Sequence, residues 1–114
     1  MPYKVAVASS DGKVINQHFG RSKQFLIFEI NDQGKFNFLE LRPNTPPCGF
    51  GEHLEDDLQR TVALLSDCRT VLVSQIGPAA KQALITKGIH VYSAPLLIDR
   101  ALLKLADYER RQIK

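Results

Sequence analysis

Two stretches of this 114-residue chain concentrate the residue types that can hold or transform a small ligand. The first is Ser9-Ser10-Asp11-Gly12 followed by Asn16-Gln17-His18-Phe19-Gly20-Arg21-Ser22. It offers a hydroxyl at Ser9, an imidazole at His18 and a guanidinium at Arg21, with Lys23 just beyond, a set suited to a small anion. Its plainer reading is local: Asp11-Gly12 is a turn, and Ser9 or Ser10 caps loop backbone. The second stretch is Cys48-Gly49-Phe50-Gly51-Glu52-His53, a thiol and an imidazole in a glycine-rich segment. The C-x4-H spacing is no zinc-finger pattern and the chain has no CxxC pair, which argues against a closed four-ligand zinc. Sulfur with imidazole suits a soft-metal species, such as an iron–sulfur group with ligands missing on the protein side. The alternative leaves Cys48 an incidental small residue and His53 a surface residue of a first helical turn.

Other candidates are weaker. Ile76-Gly77-Pro78, placed before a helix, offers free backbone N–H groups to an anion. It lacks the GxGxxG and GxxxxGK[ST] patterns of nucleotide sites. Cys68 precedes an apolar run and reads as packed and inert, and His90 as a core or edge histidine. No GxSxG or HExxH motif occurs, and Asp11, Glu29 and Asp67 are scattered acids without two-metal spacing. Binding without chemistry is the reading these residues favour. An enzyme with His18 as general base on a small anion, or a regulatory module that binds a protein partner, uses the same loops.

The elements that must position these residues follow from periodicity. Tyr3–Ala8 is apolar on both faces, as in a buried central strand. Phe25–Ile30 and Lys35–Leu41 flank Asn31-Asp32-Gln33-Gly34 and form an antiparallel hairpin. Leu54, Leu58, Val62 and Leu65 recur at helical spacing, for a helix beginning near Glu52. Thr70–Ser74 is a compact strand; Pro78–Lys87 is a helix opened by Pro78 and stopped at Gly88. Ile89–Tyr92 is a further strand, and Ile98, Ala101, Leu102 and Leu105 mark a last helix. The order β-β-β-α-β-α-β-α predicts a three-layer α/β/α domain, with a mixed five-stranded sheet and the hairpin at one edge. Ligands of such sheets bind beyond the carboxyl ends of the strands, where the strand order reverses. Ser9–Gln24, Gln75-Ile76-Gly77 and Pro43–Gly51 are expected to meet there, although a long polar loop such as Ser9–Gln24 is unusual in so small a domain.

Composition sets the outer limits. With 44% hydrophobic and 24% charged residues the chain is globular, a single domain over 1–114 with a core over 3–106 and a basic tail over 108–114. No apolar run is long enough to span a membrane and no signal peptide opens the chain, so it reads as cytoplasmic with free thiols. The net charge is +3, with six Lys/Arg against eight Asp/Glu over 1–57 and nine against four over 58–114. Without a basic stripe or interleaved aromatics, nucleic acid is not an expected partner.

The run Lys4-Val5-Ala6-Val7-Ala8-Ser9-Ser10-Asp11-Gly12, then Asn16-Gln17-His18-Phe19-Gly20-Arg21 and Phe25-Leu26-Ile27-Phe28-Glu29, resembles the opening of the dinitrogenase iron–molybdenum cofactor biosynthesis family, the group of NifX and the NifB carboxyl-terminal domain. Ser66-Asp67-Cys68, Val71-Leu72-Val73, Ile76-Gly77-Pro78 and Gly88-Ile89 resemble its second half. The resemblance implies a ribonuclease H-like fold and a non-catalytic carrier of an iron–sulfur-based cluster or its precursor, molybdenum-containing in some members and transiently bound. Cluster donor and acceptor proteins are the implied partners. His18 stands at the family's His-Phe-Gly position, and Cys48 and His53 match a Cys-Gly…Gly-Glu-His segment found in part of the family. The resemblance thus implies His18, Cys48 and His53 as metal contacts. Charge from Arg21 or Lys23, Ser9, and backbone N–H groups near Gly77 complete the implied site.

Overall fold

The computed structural model describes residues 2–44 and 54–112, with the side chains of residues 54–57, 110 and 112 outside the description. Cys48, His53 and most of Pro43–Gly51 therefore lie outside the described residues.

The two-faced apolar character of the first strand is explained by its place. β1 (Tyr3–Val7) lies at the centre of a five-stranded sheet ordered β3-β2-β1-β4-β5. It pairs antiparallel with β2 (Gln24–Ile30) and parallel with β4 (Thr70–Val73). β3 (Phe36–Pro43) continues antiparallel from β2, and β5 (His90–Ser93) runs parallel to β4. The β2–β3 turn is closed by Asn31, whose side-chain oxygen accepts from the backbone N–H of Gln33 and of Lys35 at 3.0 Å each.

Alternation then sorts the side chains between two cores. Val5, Val7, Leu26, Phe28, Ile30 and Leu72 point to one face, where α3 (Ile98–Gln112) lays Ile98, Ala101, Leu102 and Leu105 against them. Ala6, Ala8, Phe25, Ile27, Val71 and Val73 point to the other face. That face is covered by Val62 of α1 (Leu54–Leu64), Leu65 just after it, and Leu84 of α2 (Pro78–Thr86). α2 ends as its sequence requires: Gly88 takes φ +80°, and the N–H of Ile89 returns to the carbonyl of Leu84 at 3.0 Å.

Two differences from the periodicity reading are informative. α3 does not stop near residue 106 but runs to Gln112, so the segment read as a basic tail is largely helix. Its reason is Glu109, which prolongs the buried stripe one turn past Leu105 and Ala106. The Glu109 carboxylate is almost fully covered and accepts from Arg69 at 3.2 Å, while the Arg69 guanidinium lies 4.9 Å over the Tyr3 ring. A charged residue hides a buried position from any apolar count. The long loop after β1 is also not irregular throughout: it contains a 3-10 turn, Phe19–Arg21, and two bridges, one to Gln75 beyond β4 and one to Leu97 before α3.

Arg42 clamps the hairpin to the rest of the molecule. Its guanidinium makes a bidentate pair with Asp67, at 2.6 and 2.8 Å, and donates to the Leu64 carbonyl at 2.9 Å. Lys4 of β1 reaches the same carboxylate at 3.1 Å. These contacts, Arg42 first, hold the Asp67 carboxyl well below the usual carboxylate range although partial burial opposes them. The folded protein therefore binds this proton more weakly than the unfolded chain. The resulting stabilisation is complete above about pH 4 and fades as pH falls toward the folded value. Because nearly half of the Asp67 side chain is exposed, solvent screening keeps the contribution to about 1 kcal/mol. Asp67→Asn should lower the urea midpoint at pH 7, with the gap to wild type closing toward pH 2. An equal gap at both pH values would show that the pair contributes nothing through charge.

Beside this clamp, Cys68 is 4% exposed and donates its thiol to Asp67 at 3.7 Å. Burial first, and then the Asp67 charge, push the thiol up to about 12. At pH 8 its thiolate fraction is then on the order of a thousandfold below that of an ordinary cysteine. Iodoacetamide should leave Cys68 unmodified in native protein and label it after denaturation. Rapid native labelling would overturn its placement.

Candidate functional site

The reversal of strand order falls between β1 and β4, where β1 turns to the hairpin on one side and β4 to β5 on the other. The loop after β1 folds back across this crevice. The N–H of Gln17 reaches the Ala8 carbonyl, the N–H of Ser74 donates to the Gln17 carbonyl at 3.1 Å, and the N–H of Phe19 donates to the Gln75 carbonyl at 2.9 Å. His18 and Gln75 thus form a parallel bridge beyond the carboxyl ends of both strands. Phe19 is the anchor: it is 2% exposed, in the core beneath α1 and α2, with its ring 5.8 Å from that of Phe25. Ala6 and Ala8 share that core with Phe19.

With Phe19 inserted, His18 becomes the N-cap of the 3-10 turn. Its Nδ1 accepts from the Gly20 N–H at 3.0 Å. A backbone N–H can only donate, so the Nδ1 lone pair is occupied and the proton of the neutral ring resides on Nε2. His18 is half-buried, and Nε2 is the ring nitrogen left for a ligand.

The first part of the loop holds itself. Asp11 Oδ1 accepts from the N–H groups of Lys13 and Val14, at 2.9 and 3.1 Å, and from the Ser9 hydroxyl at 3.2 Å. The two backbone donors are the main cause of its lowered carboxyl pKa. Gly12 sits at φ +75°, a left-handed position in which a side chain is strained, and its N–H donates to Ser9 Oγ. Ser9 is fully buried, so its hydroxyl shapes the loop. Asn16 closes the turn through Ser10, and Val14 bridges Leu97 at the start of α3.

The far end of the loop is clamped to the hairpin. The Asn44 side chain donates to the Ser22 carbonyl at 2.9 Å, and its N–H to the Lys23 carbonyl at 2.8 Å. Gln24 reaches back to the Ser9 carbonyl at 3.1 Å. Between these contacts a cleft of about 380 Å³ opens, lined by Ser9, Ser10, Gln17, Lys23 and Gln24. Lys23 and Arg21 are exposed, and neither has an ion-pair partner among the described residues. Gly77 caps α2 in extended conformation, with no side-chain cap on that helix and nothing within 4 Å of the position a Cβ would take.

The structure therefore puts His18 beside Gln75, two residues before Gly77, and Ser9 and Lys23 in one cleft beside Gln17. It directs the Ser9 hydroxyl into the loop rather than toward a ligand. Among the described residues no three His, Cys, Asp or Glu side chains converge as metal ligands. Cys48 and His53 lie outside the described residues. Sequence reading placed Gln17, Gln24, Gln75 and Asn44 in the segments expected to meet here but gave none of them a role. Only their positions at strand ends mark them, since amides carry no motif of their own.

With this geometry in place, the comparisons with known proteins are specific. The family profile described as "Dinitrogenase iron-molybdenum cofactor" matches residues 1–108, and the chain belongs to that family. It is 38% identical over 101 residues to the FeMo cofactor biosynthesis protein NifB of Chlorobaculum tepidum, covering 89% of this chain and 23% of the relative. It is 32% identical over 90 residues to Protein NifY of Klebsiella pneumoniae, covering 78% of this chain and 37% of that one. The chain thus spans about a fifth of the NifB relatives it matches. The crystal structure of a dinitrogenase candidate from Methanocaldococcus jannaschii superposes with a TM-score of 0.62 at 18% identity, covering 96% of this chain and 92% of the other. A NifB candidate from Thermotoga gives 0.56 at 20% identity, covering 95% and 90%. At such identities these structures establish the shared fold alone.

The cap geometry is open to direct measurement. In 15N-labelled protein at a pH where His18 is neutral, its Nδ1 should resonate as an unprotonated and Nε2 as a protonated ring nitrogen. The reverse assignment would mean that the Gly20 cap does not form in solution.

Proposed function

We propose that this chain is a non-catalytic carrier, holding an iron–sulfur-based cluster or its precursor during cofactor biosynthesis and passing it between donor and acceptor proteins in the cytoplasm. Membership of the dinitrogenase iron–molybdenum cofactor family supports this reading, and so does the similarity to FeMo cofactor biosynthesis proteins NifB. The strand order β3-β2-β1-β4-β5 supports a ribonuclease H-like classification. The observation that carries the proposal is the position of His18, fixed at the β1–β4 crevice with one ring nitrogen committed and one left over.

In this reading His18 contacts the cargo through Nε2. Two modes differ in consequence. An N–H···S hydrogen bond to a cluster sulfide keeps the Gly20 cap. Ligation of a metal by Nε2 moves the ring proton to Nδ1, which then faces the Gly20 N–H donor to donor and loses that bond. The loss is about 1 kcal/mol. A ligand whose binding undoes its own cap is held less tightly than a preformed one, which suits reversible cargo. Arg21 and Lys23 supply positive charge toward an anionic cluster, and the uncapped first turn of α2 after Gly77 supplies backbone donors. Cys48 and His53 complete the proposed contact set.

Anaerobic incubation with a synthetic [4Fe–4S] cluster should give a visible absorption band that co-elutes with the protein. His18→Asn separates the two roles of the residue, because an asparagine oxygen can still cap the Gly20 N–H while the imidazole is gone. This variant should melt within a few degrees of wild type yet lose most of the band. Full retention by the variant would remove His18 from the site, and absence of the band in wild type would overturn the carrier reading. The Gly20 amide distinguishes the two modes: faster hydrogen exchange on loading marks ligation, and unchanged exchange marks the hydrogen bond.

A further inference from the structure

On the sheet face opposite α1 and α2 lies a second recess unrelated to the His18 crevice. Where β4 and β5 pass under α3, a cleft of about 220 Å³ opens between the sheet and the helix. Its floor is Leu72 and Leu105, both in the core, and its walls are Ala94, Leu96 and Ala101. The small side chains at 94 and 101 leave the space that larger ones would fill. At the mouth stand Tyr92 and Tyr108, with ring centroids 6.2 Å apart and planes at 74°. Engineered apolar cavities of about 150 Å³ hold a benzene ring, so this volume takes one ring and a short substituent.

Lys104 gives the cleft a charge. It lines the same recess, is exposed, and has no ion-pair partner among the described residues. The nearest acid along its helix face, Asp107, is instead engaged with Arg111 at 3.1 Å. An apolar slot with aromatic edges at its mouth and one unneutralised ammonium on its rim is complementary to a flat apolar body bearing one negative charge.

We propose that this cleft is a binding site for a small aromatic carboxylate, its ring between Leu72, Leu105 and the tyrosine pair and its carboxylate on Lys104. The aromatic body is favoured over an aliphatic chain because the Tyr92–Tyr108 pair offers edges and faces to a third ring, and because a single ring loses little rotational freedom on binding. The site is independent of cluster carriage.

The probe is 3-phenylpropionate, titrated into the 15N-labelled protein and followed by amide shifts. Saturable shifts should concentrate at Leu72, Tyr92, Ala94, Leu105 and Tyr108. Lys104→Glu, an exposed change that leaves the core untouched, should weaken 3-phenylpropionate about three- to fivefold or more while leaving the neutral 3-phenylpropionamide unaffected. Ala94→Leu, which fills the slot, should abolish both. No saturable shift at these residues up to 10 mM probe would overturn the site, as would equal binding by Lys104→Glu and wild type. Tighter binding of hexanoate than of 3-phenylpropionate would overturn the aromatic assignment.

Discussion

The arrangement at the crevice depends on one residue that does no chemistry. Phe19 is driven into the core under α1 and α2, a burial on the order of 2–3 kcal/mol, and its backbone N–H is received by Gln75 as it enters. A sixteen-residue polar segment, Ser9–Gln24, would otherwise have many conformations and little reason to prefer one. Tying its middle to the end of β4 removes most of that freedom. His18 precedes the anchor by one residue, so its backbone position is set by hydrophobic burial and its ring by the Gly20 cap. The polar contacts at Asp11, Asn16 and Asn44 refine the two arms of the loop. Ile15, fully buried in the core under α3, anchors the first arm as Phe19 anchors the middle.

That division of labour explains why the fold was more legible than the site. Val5 and Val7 against Ala6 and Ala8 announce a central strand, Pro78 and Gly88 bracket a helix, and Asn31 to Gly34 mark a turn, because each is a local rule acting within a few residues. The sheet of five strands and three helices follows from adding them in order. Glu109 breaks the pattern, since its burial is licensed by Arg69, forty residues away, and no local rule reports such a partner. The same holds for Arg42, whose role depends on Asp67. His18 could be marked as a candidate because an imidazole on a polar loop is uncommon. Its tautomer could not, because that rests on the turn Phe19 makes after it is buried. Nor could the inward turn of the Ser9 hydroxyl, which answers to Asp11 and Gly12 in a loop whose path the sequence pattern leaves open.

The two faces of the sheet also carry different kinds of order. Under α1 and α2 the strands bring Ala6 and Ala8 together with large rings from Phe19 and Phe25, so the loop is locked from below. On the other face Ile98 and Leu102 of α3 are buried against the strands, and beside them a gap opens where Ala94 and Ala101 replace bulk. The gap is left apolar inside and basic at its rim. The connection that forms one wall, Ala94 to Leu97, is the same one that receives Ile15 of the His18 loop at the Leu96 carbonyl. The crevice at the carboxyl end of β1 and the wedge under α3 therefore border one strip of backbone, while the side chains that line them are distinct.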